Sequence, residues 1–238
     1  MRMTGKWRAL AAMTIVLAAR TATAQSVQLP ARTLERDGVT MTFPAVTYES
    51  PAASGDPITV VCARMATQAI GTTVDPARDR LAETEHRVVF RDPADATQVL
   101  KLYRPDHYDA RYIAKLLQRD LGVQRLLQSL GLRIAAIDTD PRLILHGVER
   151  QQFVNGKGLD DLYPQGYRMG TNPAIDRMLE RIAPIDKAVR TLVSMQSGLL
   201  FTNTVDCWND RPLGVDLGHC YANIFIEAGS GQPIFVDW

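Results

Sequence analysis

Two side chains near the end of the chain raise the first chemical question. Asn223 opens the short apolar run Ile224-Phe-Ile, a Gly/Ser turn follows, and a second apolar run, Ile234-Phe-Val, ends on Asp237. The pattern predicts a β-hairpin with a carboxamide and a carboxylate at its open end. Both groups present oxygen, the ligand atom that a hard cation such as Mg2+ takes. Upstream, Lys101 sits inside Val99-Leu-Lys-Leu-Tyr103, where apolar and polar residues alternate as on a strand. A lysine there either points to solvent from a half-buried strand or has a partner of opposite charge. Asp120 falls in line with Ile113, Leu117, Gln124 and Leu127 at helical spacing. It is either solvated at the helix edge or paired, because an unpaired charge on an apolar face is costly.

In this order (strand lysine, helix acid, Asn, hairpin Asp) residues 65–238 resemble the protein-kinase-like superfamily. The segment Arg119-Asp-Leu-Gly-Val-Gln-Arg-Leu-Leu-Gln-Ser-Leu-Gly-Leu132 looks like the corresponding helix of aminoglycoside-phosphotransferase-type kinases. The resemblance implies ATP and Mg2+ as cofactors. Lys101 would meet the α- and β-phosphates, Asp120 would form an ion pair with Lys101, and Asn223 and Asp237 would hold Mg2+. The helix acid is Asp where the family has Glu, one methylene shorter.

The family's catalytic Asp stands five residues before the Asn, where this chain has Gly218. In Val215-Asp-Leu-Gly-His-Cys-Tyr-Ala-Asn223, either Asp216 orients an attacking hydroxyl or His219 replaces it, since imidazole is competent as a general base. If neither acts, the chain is a pseudokinase. Family members cover the phosphates with a Gly-rich turn, because only Gly lets the backbone approach so closely. Here Gly71 alone stands between the first two expected strands. The sequence stops one residue after Asp237, so the resemblance implies a much reduced helical C-lobe, as in short bacterial effector kinases, or an incomplete sequence.

The elements that must position these residues form an α+β order. Residues 25–57, punctuated by Pro30, Pro44, Pro51 and Pro57, read as an extended lead-in with a strand or two. Strands are expected at 58–62, 86–91, 99–103, 134–137 and 142–146, the second and third forming a hairpin around the turn residues Asp92-Pro-Ala-Asp95. Helices are expected at 108–130, stopped by Gly131, and at 175–197, kinked or divided at Pro184. The resemblance casts residues 58–150 as a β-rich N-lobe and 151–238 as a reduced C-lobe carrying the closing hairpin.

Composition narrows the partners. With 238 residues, a net charge of +1 and 46% hydrophobic residues, the chain can bury one large core or two small lobes. Its charge balance gives no electrostatic case for nucleic acid. Arg2, Lys6 and Arg8 precede the apolar stretch 9–19, and Ala22-Thr-Ala24 offers small residues at a cleavage position. Residues 1–24 therefore read as a secretory signal peptide, giving a secreted or periplasmic chain with no membrane span after cleavage. In an oxidising compartment Cys207 and Cys220 close the shorter loop and leave Cys62 free; three reduced thiols are the alternative.

Together these readings describe a secreted ATP–Mg2+-binding kinase-like protein that transfers phosphate to a hydroxyl acceptor. The alternatives are an inactive pseudokinase-type module that binds a host or envelope protein, and an unrelated secreted α+β protein.

Overall fold

A computed structural model describes residues 24–165, 167–197 and 224–236. Residues 1–23 of the expected signal segment, Cys207 and Cys220 lie outside these residues. The architecture is mixed α+β, with small antiparallel sheets and helices packed on them.

The stretch expected as a lead-in contributes four strands. β1 (Ser26–Leu29) pairs with β4 (Val46–Glu49), and between them β2 (Arg32–Arg36) and β3 (Val39–Phe43) form a hairpin. Asp37 and Gly38 link β2 to β3 with φ of 49° and 77°. Positive φ at both central residues is the requirement of a type I′ turn, and Asp-Gly meets it. Period-two alternation then buries Val39, Met41 and Phe43 on one strand and Val46 and Tyr48 on the other. Those apolar faces need cover, which is why this segment belongs to the core.

Residues 58–62 are helical, against the strand expected from their β-branched character. α1 (Ile58–Ile70) starts after Pro57 and continues through an Ala-rich run. Val61, Cys62, Met65, Ala66 and Ala69 recur at three- and four-residue steps and are all buried. Helical periodicity over thirteen residues outweighs the local strand preference of four.

β5 (Arg80–Glu83), β6 (Arg87–Arg91), β7 (Gln98–Tyr103) and β8 (Val148–Gln152) follow as one antiparallel sheet in that order. The β6–β7 hairpin agrees with expectation. Its turn is held by Asp92, whose Oδ1 accepts from the Ala94 N–H at 2.8 Å, and by Asp95, which accepts from the Thr97 N–H at 2.9 Å.

The long helix is α2 (Ala110–Ser129), capped by Asp109, which accepts from the Tyr112 N–H at 2.7 Å. Gly131, at φ 66°, turns the chain away. Residues 134–137 make only isolated bridges, Ile134 to Phe235 and Ile137 to Gln151. The strand expected at 142–146 is instead the short helix α3 (Pro141–Leu145). Asp140 caps its N-terminus and Pro141 starts it, a combination that favours a helical first turn. The strand lies just beyond, as β8.

The last expected helix is divided at Pro184, into α5 (Pro173–Ile182) and α6 (Asp186–Ser197), after the one-turn α4 (Leu159–Leu162). The closing hairpin is present as β10 (Ile224–Glu227) and β11 (Pro233–Phe235), and β9 (Gly156–Gly158) adds to its β10 edge. A Cβ at Gly156 would run into the Ile226 carbonyl, so this pairing needs glycine. Among the described residues no helix is long and apolar enough to cross a membrane.

One large buried apolar cluster takes side chains from Val39 through Phe235. α2 lies at its centre, against β1, β3, β4 and α6. The Gln118 side chain uses both amide hydrogens, donating to Pro30 O at 2.9 Å and Pro44 O at 2.6 Å. Its own oxygen accepts from Gln196 Nε2 at 2.8 Å. Next to it, Gly122 lets β3 come close: a Cβ there would lie 2.5 Å from Cδ1 of the fully buried Phe43. We expect Gly122→Ala to destabilise the fold by up to about 2 kcal/mol in urea unfolding. The overpacking cost, about 1–3 kcal/mol, exceeds the gain of about 1 kcal/mol in helix propensity. In a Phe43→Leu background the loss should shrink, because the ring edge is gone.

Candidate functional site

Strand register gathers charge on one face of the four-stranded sheet. Arg87 stands opposite Tyr103, and Lys101 stands between Val89 of β6 and Glu149 of β8. Because side chains alternate along a strand, Arg87, Lys101, Tyr103 and Glu149 share a face. Asp120, from the middle of α2, meets this face and is 1% exposed.

Arg87 Nη2 donates to Asp120 Oδ2 at 3.0 Å, and Arg87 Nη1 donates to Glu149 Oε2 at 2.7 Å. Arg119 Nε donates to Asp120 Oδ1 at 2.6 Å, and the Tyr103 hydroxyl donates to Asp120 Oδ2 at 2.5 Å. Arg119 Nη2 reaches the same hydroxyl at 2.9 Å, and the Arg87 guanidinium carbon lies 4.1 Å from the Tyr103 ring centroid. Two acids and two arginines thus close a charge-balanced cluster. Burial pushes the Tyr103 phenol well above its usual range. Burial alone would depress the Arg119 guanidinium, but the adjacent Asp120 carboxylate holds it above its ordinary value.

This arrangement departs from the lysine–acid pair expected across β7 and α2. Asp120 is on the buried helix face, as its spacing implied, and it is paired. Among the described residues its ion pairs are with Arg87 and Arg119. The reason is reach: Asp has a short side chain, and two guanidinium groups enter from the neighbouring strand position and from the same helix. Arg87 and Glu149 were not singled out from the sequence. Arg87 opens the run Arg87-Val-Val-Phe-Arg91 and shares a face with Val89, which was the available signal. Glu149 escaped because its strand was expected a turn too early.

Lys101 turns to the closing hairpin. Its Nζ donates to the Val236 carbonyl oxygen at 2.8 Å. Val236 is the residue covalently joined to Asp237, and Ile224, joined to Asn223, pairs in register with Phe235. Asp216, His219, Asn223 and Asp237 themselves lie outside the described residues. The hairpin is further fixed by Ala135, whose N–H donates to Phe235 O at 2.6 Å, and by a small apolar cluster of Ala135, Val154 and Ile234. Gln151, on the lysine face opposite Val99, is 2% exposed, and its Oε1 has no hydrogen-bond partner among the described residues.

Gly71 is not between two strands. It ends α1 at φ 74°, with its N–H donating to Thr67 O at 2.9 Å, and a Cβ there would approach the Arg142 guanidinium to 3.0 Å. Helix termination and that close approach account for the glycine. Cys62 is a buried free thiol, pushed up to about 12 by burial. A cavity of about 410 Å3 lies elsewhere, between the N-terminal strands, α1 and the start of α2, lined by Tyr48, Ile58, Val61, Tyr108 and Ile113.

Compared with known proteins, the chain matches no protein-family model and no curated protein.

The cluster and the lysine should separate in stability measurements. Asp120→Asn leaves the buried Arg119 and the partly buried Arg87 short of negative charge and should cost about 3–5 kcal/mol in chemical denaturation. Lys101→Met, which removes a charge-assisted hydrogen bond from a half-buried position, should cost about 1–3 kcal/mol. Equal, small losses would mean that Asp120 does not organise this face.

Proposed function

We propose that the chain is a two-lobed, protein-kinase-like protein, exported under the signal peptide of residues 1–24, that binds ATP–Mg2+ and transfers phosphate to a hydroxyl acceptor. The observation that carries this reading is the Lys101–Val236 hydrogen bond, which joins positions 135 residues apart. It brings the strand lysine to the end of the hairpin, next to the residue that the resemblance assigns to Mg2+. A phosphate-binding lysine and a metal-binding carboxylate must be neighbours, because Mg2+ bridges the same phosphates that the lysine neutralises.

In this reading Lys101 binds phosphate oxygens. Asn223 and Asp237 hold Mg2+, whose chemistry is to neutralise charge on the phosphates. Asp216, or His219, orients the acceptor hydroxyl. Asp120 acts at one remove, by fixing α2 and Arg87 against the sheet. Glu149, opposite Lys101 in the ladder, is the acid that flanks the lysine. Gly71 contributes a helix end.

A second reading, an inactive pseudokinase-type module that binds a host or envelope protein, is favoured by one feature: Gly218 stands where the family has its catalytic Asp. An unrelated α+β fold is the outcome if nucleotide fails to bind.

A thermal-shift titration with ATP and MgCl2 should raise the melting temperature of the wild type, and Lys101→Ala and Asp237→Ala should abolish most of the rise. An absent shift in the wild type removes both nucleotide-binding readings. With binding established, transfer of radiolabelled γ-phosphate should fall at least tenfold in Lys101→Ala and Asp216→Ala. Binding without transfer in the wild type selects the pseudokinase. Unchanged labelling in both variants defeats the residue assignment.

A further inference from the structure

At the edge of the four-stranded sheet, the turn between β5 and β6 lies against the connection from β7 to α2. Arg104 ties them: its N–H donates to His86 O at 3.1 Å, and its Nη1 donates to Thr84 O at 3.1 Å. Three exposed side chains with metal-ligating atoms meet there, Glu85, His86 and His107, and one such atom from each lies within 4.8 Å of the others. Nε2 of His107 is 4.0 Å from Oε1 of Glu85. The two imidazoles stand edge to face with centroids 5.5 Å apart.

Behind one ligand there is an orienting partner. The Tyr108 hydroxyl is 2.6 Å from Nδ1 of His86. Tyr108 is itself held by a stacking contact with Tyr112, in the first turn of α2, at 4.9 Å between centroids. Ligating histidines characteristically have such a bond at the nitrogen that does not touch the metal, which sets the tautomer and the plane of the ring. The tautomer in which Nδ1–H donates to the Tyr108 hydroxyl is the one that leaves the Nε2 lone pair of His86 for an ion. The pair of imidazoles selects a borderline transition metal over Mg2+ or Ca2+, which take oxygen ligands.

We propose that Glu85, His86 and His107 form a binding site for a divalent transition-metal ion of the Zn2+ class, with Tyr108 as a positioning residue and a fourth coordination position open to water. Zinc–nitrogen and zinc–oxygen bonds of about 2.0–2.2 Å require tetrahedral donors roughly 3.4 Å apart. The donors, at most 4.8 Å apart, therefore have to close by no more than about 1.4 Å, through rotation of exposed side chains. A bound ion would clamp the β5–β6 turn to the entry of α2. The site involves neither Lys101 nor the closing hairpin, so it stands or falls independently of nucleotide binding.

The test uses the full chain without a polyhistidine tag, stripped with EDTA and free of nucleotide. Calorimetric titration with ZnCl2 should give one site with micromolar or tighter affinity, undiminished by excess MgCl2. CoCl2 should produce the visible absorption of a four-coordinate site. Affinity should fall at least tenfold in His107→Ala and in His86→Ala, with an unchanged circular dichroism spectrum. Tyr108→Phe keeps the ring stack but removes the hydroxyl, and should weaken binding by about 10-fold, within the range for such outer partners. Binding weaker than 100 µM in the wild type overturns the proposal. So does equal affinity in the wild type and both histidine variants, which would place the ion elsewhere on the chain.

Discussion

A carboxylate buried inside a protein has to be answered by positive charge, and that requirement at Asp120 governs how the central helix meets the sheet. Arg87 from β6 and Arg119 from the same helix answer it, and Tyr103 and Glu149 complete the set. Three strands and one helix are involved, so the helix cannot slide by one residue or rotate by one turn without breaking several charged hydrogen bonds together. The cluster acts on register more than on net stability, since the desolvation of four ionised groups offsets much of their attraction. Its worth lies in what misalignment would cost.

With Asp120 held by arginines, the neighbouring lysine is left to make its bond on the hairpin side of the sheet. Lys101 thus couples two regions that the chain order keeps far apart. The hairpin in turn leans on residues 133–135 and on the strand pairing allowed by Gly156. Any ligand chemistry at the hairpin's open end depends on this indirect support. Among the described residues the hairpin is held by the Lys101 ammonium, by backbone bonds to residues 133–135 and to β9, and by the small apolar cluster of Ala135, Val154 and Ile234.

The sequence made some of this legible. The β6–β7 hairpin, α2, the division at Pro184 and the closing hairpin follow from alternation, helical spacing and turn residues. The spacing of Asp120 among apolar residues poses a charge that is solvated at the helix edge or paired, and it is paired. What escaped was of two kinds. Residues 58–62 and 142–146 read as strands because short apolar runs look alike in helices and strands; the deciding signals are Asp140-Pro141 and the Ala-rich continuation to Ile70. The N-terminal hairpin was missed although Asp37-Gly38 between alternating residues is a strong turn signal. Partner identity at Asp120 was out of reach for a different reason. It depends on which strand positions face the helix, and that is set by register across the sheet.

The amide bonds of Gln118 bear on how the chain reaches this structure. Gln118 closes onto Pro30 and Pro44 across 88 and 74 residues, and Gln196 closes onto Gln118 across a further 78. β1 to β4 therefore have no finished core until α2 and then α6 have been synthesised. Contacts this distant in sequence form slowly, because loop closure precedes their reward. The N-terminal strands, with their buried Phe43 and Tyr48, spend that interval exposed. Assembly of this part of the core is thus timed by α6, and the early-emerging strands wait for the helices that will cover them.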